Sequence, residues 1–217
     1  MITRIGVAPR RKGLTSEAFQ AHWGGRHGEL AKQLPGVRRY WQNHALLRND
    51  EPVLPWVGFD ACSEIVFDDI ATMNKSFESD HYLKDVRDDE ALLVDKTKGG
   101  LTLTDRDILH GQVDGKGTRL LTFMRAAPGQ TAAALQDALK AQKPVAVATA
   151  WEVFSALPSE RAGGHVSIFD AVESLWFTDP DEAQRYLVSA DARERRAEIA
   201  HLVRGVERLL AQVRIIV

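Results

Sequence analysis

The chain has 217 residues, of which 44% are hydrophobic and 27% charged, a composition typical of a globular protein. Its formal net charge of -2 gives no broad basic surface, so we expect neither nucleic acid nor a membrane as a partner. The single cysteine, Cys62, excludes an intrachain disulfide, and no apolar stretch of signal-peptide or membrane-spanning type occurs, so we predict a cytoplasmic protein.

The first half of the chain predicts the element order β-α-β-β-α-β, which is the ferredoxin-like arrangement. Strands are predicted over residues 3–7, 37–47, 57–67 and 101–109, and helices over 15–34 and, in two stretches, over 70–78 and 82–94.

The predicted first helix carries one buried stripe at helical spacing, formed by Phe19, Trp23, His27, Leu30 and Leu34. Three glycines, Gly24, Gly25 and Gly28, lie around His27. Because glycine costs about 1 kcal/mol in a helix interior relative to alanine, we expect the helix to break or kink there and to leave room for a ligand.

Residues 110–117 (HGQVDGKG) are polar and glycine-rich and predict a linker, after which the same element order returns. In the second half, strands are predicted over residues 119–125, 146–157, 166–177 and 213–217, and helices over 131–142, 181–189 and 192–212. Phe59 to Phe67 also aligns without a gap on Phe169 to Phe177. We therefore predict an α+β fold in which two ferredoxin-like βαββαβ halves, residues 1–109 and 118–217, are fused in one chain and form an internal α+β barrel.

A set of residues in the first half carries a resemblance to a known family. In order they are Gly13-Leu14-Thr15-x-Glu17-x-Phe19, Trp23-x-x-x-His27, Leu34-Pro35-Gly36, Tyr40-x-Gln42-Asn43-His44, and Phe59-Asp60 with Glu64-Ile65-Val66-Phe67. Over residues 4–109 this pattern resembles the EthD-type family of the dimeric α+β-barrel superfamily, although Val66 stands where that family often has an aromatic residue. The resemblance implies a barrel that two chains usually form together, and an activity like that of cofactor-free isomerases, lyases and dehydratases.

Two elements of the first half supply polar residues that point to chemistry. His27 lies on the buried stripe, where it is either a general acid/base in an apolar pocket or a core histidine bonded to a carbonyl group. On the second strand, Tyr40 and His44 share one face with Gln42, while Trp41 and Asn43 share the other. The face with Tyr40 and His44 either lines a cavity or is a solvated edge.

The third strand places Asp60, Cys62 and Glu64 on one face. A buried carboxylate needs a partner, so Glu64 is either an acid/base group or, as we favour, part of a structural ion pair inside the barrel with Arg4, Arg38 or Arg39. Cys62 is a secondary site candidate because a related methylisomerase type uses cysteine and histidine. Its alternative is a small buried hydrophobic residue.

These residues and the resemblance together predict a cofactor-independent lyase, isomerase or dehydratase that acts by acid-base chemistry on a small, hydrophobic, oxygenated organic molecule. The catalytic candidates are His27, Tyr40 and His44, and the substrate-binding candidates are Trp23, Asn43, Cys62 and Glu64. The second half lacks the polar signature, so we expect one principal site per chain.

Two other functions stay open at this point. One is a non-catalytic protein that binds a small ligand or serves as an accessory in a degradation or biosynthesis pathway, and the other is a haem-handling protein with His27 as the iron ligand. No dinucleotide, P-loop or zinc motif occurs, so we expect no metal and no dissociable cofactor. Whether the fused chain forms a homodimer also stays open.

Overall fold

The computed structural model describes residues 1–54 and 59–217. Residues 55–58 lie outside the described part, and the first two residues of the predicted third strand, Val57 and Gly58, are among them. None of the helices within the described ranges is long and apolar enough to cross a membrane.

The strands are β1 (Ile2–Ala8), β2 (Arg39–Ala45), β3 (Leu47–Arg48), β4 (Glu51–Pro52), β5 (Ala61–Phe67), β6 (Gly100–Gly111), β7 (Thr118–Ala126), β8 (Ala150–Ala156), β9 (Ala171–Phe177) and β10 (Val203–Ile215). The α-helices are α1 (Ser16–His22), α2 (Gly28–Ala31), α3 (Ile70–Phe77), α4 (Arg87–Leu93), α5 (Ala132–Lys140), α6 (Pro180–Leu187) and α7 (Ala190–Ile199). Two π-helical turns, Trp23–His27 and Tyr82–Val86, and two 3₁₀ turns, Lys96–Lys98 and Ala200–Leu202, complete the helical segments of the described residues.

All strands except the short β3 and β4 form one closed antiparallel barrel in the order β1-β5-β2-β10-β7-β9-β8-β6. Within each half, the neighbours run fourth, first, third, second, which is the ferredoxin-like order. The halves are joined at two seams, where β2 pairs with β10 and β6 pairs with β8. The predicted α+β fold, with two ferredoxin-like halves fused into an internal barrel, is confirmed.

The last strand is longer than the sequence predicted. β10 covers Val203–Ile215 and pairs with both β7 and β2, so the predicted helix over 192–212 and strand over 213–217 are wrong in this region. The apolar run Leu209-Leu210-Ala211 fits a buried helix and a buried strand alike, so periodicity cannot separate them. Hydrogen bonding to β2, at the seam between the halves, stabilises the strand conformation.

The first helix does not break at its glycines. α1 continues through the π-turn Trp23–His27 into α2, and the residues that flank the turn keep right-handed helical backbone angles. A Cβ on Gly24 would lie 2.6 Å from the guanidinium of Arg214, and one on Gly28 would lie 2.9 Å from Ile216. These glycines allow the end of the chain to pack closely on the helix, so the expected break is wrong and its place is taken by a π-turn.

A buried ion network centred on Arg119 occupies the barrel interior. Arg119 is fully buried, and its Nη1 donates hydrogen bonds to Glu64 Oε2 at 2.6 Å and to Asn43 Oδ1 at 2.9 Å. Its Nε donates to Ser174 Oγ at 2.8 Å, and its Nη2 donates to Glu152 Oε2 at 3.2 Å. One guanidinium thus links a carboxylate of the first half to a carboxylate of the second.

Two further arginines flank these carboxylates. Arg39 pairs with Glu64, and Arg106 Nε donates to Glu152 Oε1 at 2.6 Å. Burial alone would raise the pKa of Glu64, but Arg119 and Arg39 beside it hold that pKa below its ordinary value. Glu64 is therefore ionised, and its interpretation as part of a structural ion pair with Arg39 is confirmed.

Removing Arg119 is expected to destabilise the protein strongly. Arg119→Met takes one positive partner from each of the two buried carboxylates, and breaking a buried ion pair from one side costs about 3–5 kcal/mol. Urea unfolding at pH 7 measures the change in the free energy of unfolding. Arg125→Met, at an exposed position near the end of the same strand, is the matched control and should lose much less. Equal, small losses in both variants would contradict the central role of Arg119.

We propose residues 1–109 and 118–217 as the two structural units, with 110–117 between them, although β6 runs into this linker as far as Gly111. A fragment of residues 1–109 is expected to be insoluble or to dimerise, because β2 loses β10, β6 loses β8 and Glu64 loses Arg119. Sedimentation of the fragment beside the full chain measures this, and a stable, folded monomer would contradict it.

Candidate functional site

A cavity of about 450 Å³ lies between the outer face of the sheet of the first half and the helices that cover it, and three residues of the second half complete its wall, namely His165, Val166 and Ile168. Apolar side chains form much of its wall, including those of Trp23, Ile65, Phe77 and Leu101. Its polar lining residues include Arg4, His27, Tyr40, Tyr82, Glu90 and Lys96. The structure therefore places three of the predicted site residues, namely Trp23, His27 and Tyr40, on the wall of one cavity.

His27 is held by a buried carboxylate that the sequence reasoning missed. Its Nδ1 lies 3.1 Å from Oδ2 of Asp89, whose side chain is only 1% exposed. His22 Nε2 and Arg26 Nε lie 2.9 Å and 3.1 Å from the other oxygen of Asp89. A carboxylate at Nδ1 assigns the ring proton to that nitrogen, which leaves Nε2 of His27 as the acceptor available to the cavity.

The electrostatics keep this histidine neutral. Burial lowers the pKa of His27 below its ordinary value, and Glu90 and Asp89 counteract this only in part. At neutral pH, His27 is thus an unprotonated base with a fixed ring orientation.

The π-turn that carries His27 is fixed by the second strand. Gln42 Nε2 donates a hydrogen bond to the carbonyl oxygen of Trp23 at 2.9 Å, in the first position of the turn. The second π-turn, Tyr82–Val86, belongs to the neighbouring helical segment and also lines this cavity. π-Turns inside helices often occur at functional sites, and here both face the same space.

A chain of hydrogen bonds runs along the second strand on the face where we expected it. Gln42 Nε2 donates to the Tyr40 hydroxyl at 3.1 Å, and Gln42 Oε1 lies 2.9 Å from His44 Nε2. His44 does not border the cavity but stacks on Trp23, with the ring centroids 4.6 Å apart. Burial raises the pKa of Tyr40 to about 12, whereas burial and Arg214 lower the pKa of His44 to about 4.

Three predicted substrate-binding residues lie elsewhere. Asn43, Cys62 and Glu64 point into the barrel interior, where Asn43 Nδ2 donates to the Cys62 carbonyl oxygen at 3.1 Å. Because side chains alternate between the two faces of a strand, they are on the opposite side of the sheet from His27. Burial raises the pKa of Cys62 to about 12, so its thiol stays protonated. We therefore no longer assign these three residues to the site of His27.

Other polar residues of the cavity were also missed. The Arg4 guanidinium lies 4.7 Å from the ring centroid of Phe77, and burial lowers the pKa of Arg4. Its side chain makes no hydrogen bond or ion pair with any residue that the structure describes. Across the cavity, the Tyr82 hydroxyl donates to Glu90 Oε2 at 3.1 Å, and Lys96 pairs with Glu90.

The sequence did contain a signal for Asp89. It follows Val86 by three positions and precedes Leu93 by four, so the helical period places a carboxylate on an apolar, buried stripe. A carboxylate in that position needs a partner.

The second half also contains a cavity with polar lining residues. A cavity of about 350 Å³ lies there, and its lining includes Glu173, Tyr186, Arg195 and Arg208. These groups are not equivalent to His27, Tyr40 and His44, so the expectation of one principal site per chain stays a prediction. They come from β9, α6, α7 and β10, and not from the positions that match His27 and Tyr40.

Residues 11–97 match the family model described as the EthD domain. The matched segment contains His27, Tyr40 and Asp89, so it includes the residues that hold the cavity histidine. The predicted resemblance of the first half is confirmed. No curated protein matched the chain in sequence.

Solved structures resemble the whole chain. An anthrone oxidase-like protein aligns with a TM-score of 0.66 at 12% identity, over 99% of this chain and 93% of its own. A candidate monooxygenase of Fusobacterium nucleatum aligns with a TM-score of 0.60 at 9% identity, over 99% and 93%. A mutant chlorite dismutase from Candidatus Nitrospira defluvii aligns with a TM-score of 0.56 at 10% identity, over 99% and 91%. At these identities, the likeness shows a shared α+β-barrel fold.

Replacing His44 by glutamine is expected to reduce the amount by which the free energy of unfolding falls between neutral and acid pH. The pKa of His44 is about 4 in the folded protein, against 6.5 for an ordinary histidine. Between these pH values the unfolded chain binds more protons, so the free energy of unfolding falls as the pH falls, by roughly 3 kcal/mol in total. Urea unfolding at pH 7 and pH 4.5 should show a smaller drop for His44→Gln than for wild type. The free energy of unfolding of the exposed control His201→Gln should fall as much as that of wild type. If His44→Gln shows the same fall as wild type, the lowered pKa of His44 is contradicted.

Proposed function

We propose that this protein is a small-molecule enzyme that performs proton-transfer chemistry on a hydrophobic, oxygenated substrate, as a lyase, isomerase or dehydratase without a dissociable cofactor. The observation that carries the proposal is the pair His27–Asp89. It combines a buried neutral imidazole at the wall of a cavity, a carboxylate that orients it through Nδ1, and an Nε2 that has no hydrogen-bond partner among the described residues.

In the proposed reaction, Nε2 of His27 removes a proton from a carbon next to a carbonyl group. Asp89 stabilises the imidazolium that forms, because it already accepts the hydrogen bond from Nδ1. Return of the proton to a different carbon gives isomerisation, and departure of a hydroxide from the adjacent carbon, protonated on leaving, gives dehydration. Both outcomes leave His27 neutral again once the proton has been passed on.

The negative charge that develops on the substrate oxygen needs hydrogen-bond donors, and two side chains at the cavity can supply them. The Arg4 guanidinium borders the cavity without an ion-pair partner among the described residues, and the Tyr40 hydroxyl borders it too. Because burial raises the pKa of Tyr40 to about 12, its hydroxyl keeps its proton at neutral pH. Donors that are already fixed in a low-dielectric site stabilise an enolate strongly.

The size and lining of the cavity support a hydrophobic substrate. About 450 Å³ lies within the range of small-molecule sites, and Trp23, Phe77 and Leu101 supply apolar wall. We propose that His44, expected from the sequence to be catalytic, is a positioning residue that supports Trp23 by stacking.

A haem-handling function is the second candidate, since histidines that bind a metal through Nε2 often donate Nδ1–H to a carboxylate, as His27 does. His27 would then hold the iron. Titration of haem into the purified protein tests this candidate: a Soret shift that His27→Gln abolishes would support it, and a preparation that does not respond to haem would remove it.

Replacing His27 or Asp89 is expected to lower the rate of proton abstraction. A suitable probe is deuterium uptake from D₂O at the carbons next to the carbonyl group of 2-tetralone, followed by NMR. His27→Gln should lose at least about 100-fold of the protein-catalysed rate, because the base is gone. Exposed His201→Gln is the control and should keep the rate. If His27→Gln keeps the full rate, the chain is better described as a ligand-binding protein.

The pH dependence gives a second readout for the same pair. The rate should fall in acid as His27 becomes protonated, with a midpoint below pH 6.5, because burial lowers its pKa. Asp89→Asn should slow the reaction and also move the midpoint to lower pH, since Asp89 raises the pKa of His27. A midpoint that does not move in Asp89→Asn would contradict the direct coupling.

A further inference from the structure

We propose that the second half contains a separate binding site for an anionic amphiphile, whose carboxylate is bound by Arg208. The site is the cavity of about 350 Å³ between the outer face of β7, β9 and β10 and the helices α6 and α7. Its place in the second half corresponds to that of the His27 cavity in the first. The two cavities have no lining residue in common, so each can bind its own ligand.

The lining of this second cavity is strongly cationic. Four arginines, Arg195, Arg196, Arg204 and Arg208, face a single carboxylate, that of Glu173. This carboxylate is already engaged, because Arg195 donates to Glu173 Oε1 from Nη2 at 2.6 Å and from Nε at 3.1 Å. The other three arginines have no acidic partner among the lining residues.

Arg208 is the group that most clearly lacks a partner. Its side chain is half-buried, yet it makes no hydrogen bond or ion pair with any residue in the described ranges. Burial lowers the pKa of Arg208, and the like charge of Arg196 lowers it further. A guanidinium carries five N–H donors, and leaving them unpaired in a partly buried place is unfavourable. An anion in the cavity would remove both the unpaired donors and the repulsion.

A second unused donor lies in the same wall. The Tyr186 hydroxyl makes no hydrogen bond with the described part of the chain, and burial raises its pKa to about 12. It therefore stays protonated and can donate. A carboxylate has two oxygens and can accept hydrogen bonds from a guanidinium and a hydroxyl together.

The remaining lining residues indicate that the part of the ligand away from the carboxylate is apolar. They include the apolar side chains of Leu120, Met124, Leu175, Leu187, Ile199 and Val203. The volume of about 350 Å³ is at the small end of the range for ligand sites, so the tail is a short alkyl chain or one ring system. A medium-chain carboxylate combines these features.

The test compares three probes of equal chain length, decanoate, 1-decanol and decylamine, by calorimetric titration of the unmodified full-length protein. Decanoate should bind at least about 10-fold more tightly than the alcohol, because Arg208 attracts its carboxylate. The amine should not bind measurably, because its ammonium group carries the same charge as Arg208. Equal binding of decanoate and decanol would overturn the proposal without any variant.

Variants then locate the binding. Arg208→Gln should weaken decanoate binding at least 10-fold and Arg208→Lys less, whereas Arg193→Met, on an exposed part of α7 outside the cavity lining, should bind as wild type does. Arg4→Gln, in the cavity of the first half, should leave this binding unchanged. If Arg4→Gln removes the binding and Arg208→Gln does not, decanoate occupies the first cavity and the proposed second site is wrong.

Discussion

The structure depends on the burial of one positive charge, that of Arg119, at the place where the two sheets meet. Because a buried guanidinium is tolerated only with acceptors around it, the carboxylates of Glu64 and Glu152 have to reach it from different halves. A slip of one residue at the seam between β2 and β10 would turn Asn43 away and leave part of the guanidinium without a partner. The ion network thus fixes the register in which the halves close.

Side chains fill the centre of the barrel. Charged groups and the edge-to-face pair of Trp41 and Trp176 occupy this space, and the two cavities described above lie on the outer faces of the sheets, beneath the helices. Each half has such a space, and each is lined with different groups. The first cavity contains the neutral base His27, and the second is lined by four arginines and one carboxylate. The same architecture therefore supports two kinds of recognition in one chain.

The sequence was sufficient for the fold and for part of the site, and the physical reasons for its limits are specific. Strand alternation correctly grouped Tyr40 with His44 and kept Asn43 apart, because that rule is local. It could not say which face of the third strand met the helix, so Cys62 and Glu64 were grouped with His27 although both side chains point into the barrel interior. Asp89 lies 62 positions after His27, and the contact exists only after α4 packs beside the first helix. The last strand was misread because its apolar run fits two periods, and the seam with β2 resolved it.

Joining both halves in one polypeptide has a consequence for the centre of the barrel. By strand pairing, the position in β1 that corresponds to Arg119 is Thr3, since Thr3 lies opposite Val66 as Arg119 lies opposite Trp176. In a barrel made of two identical chains, every central residue is present twice, and a lone arginine would face its own copy. A fused chain is free of that restriction. It can hold an odd number of ionic groups on the pseudo-axis, and each half can change without the other.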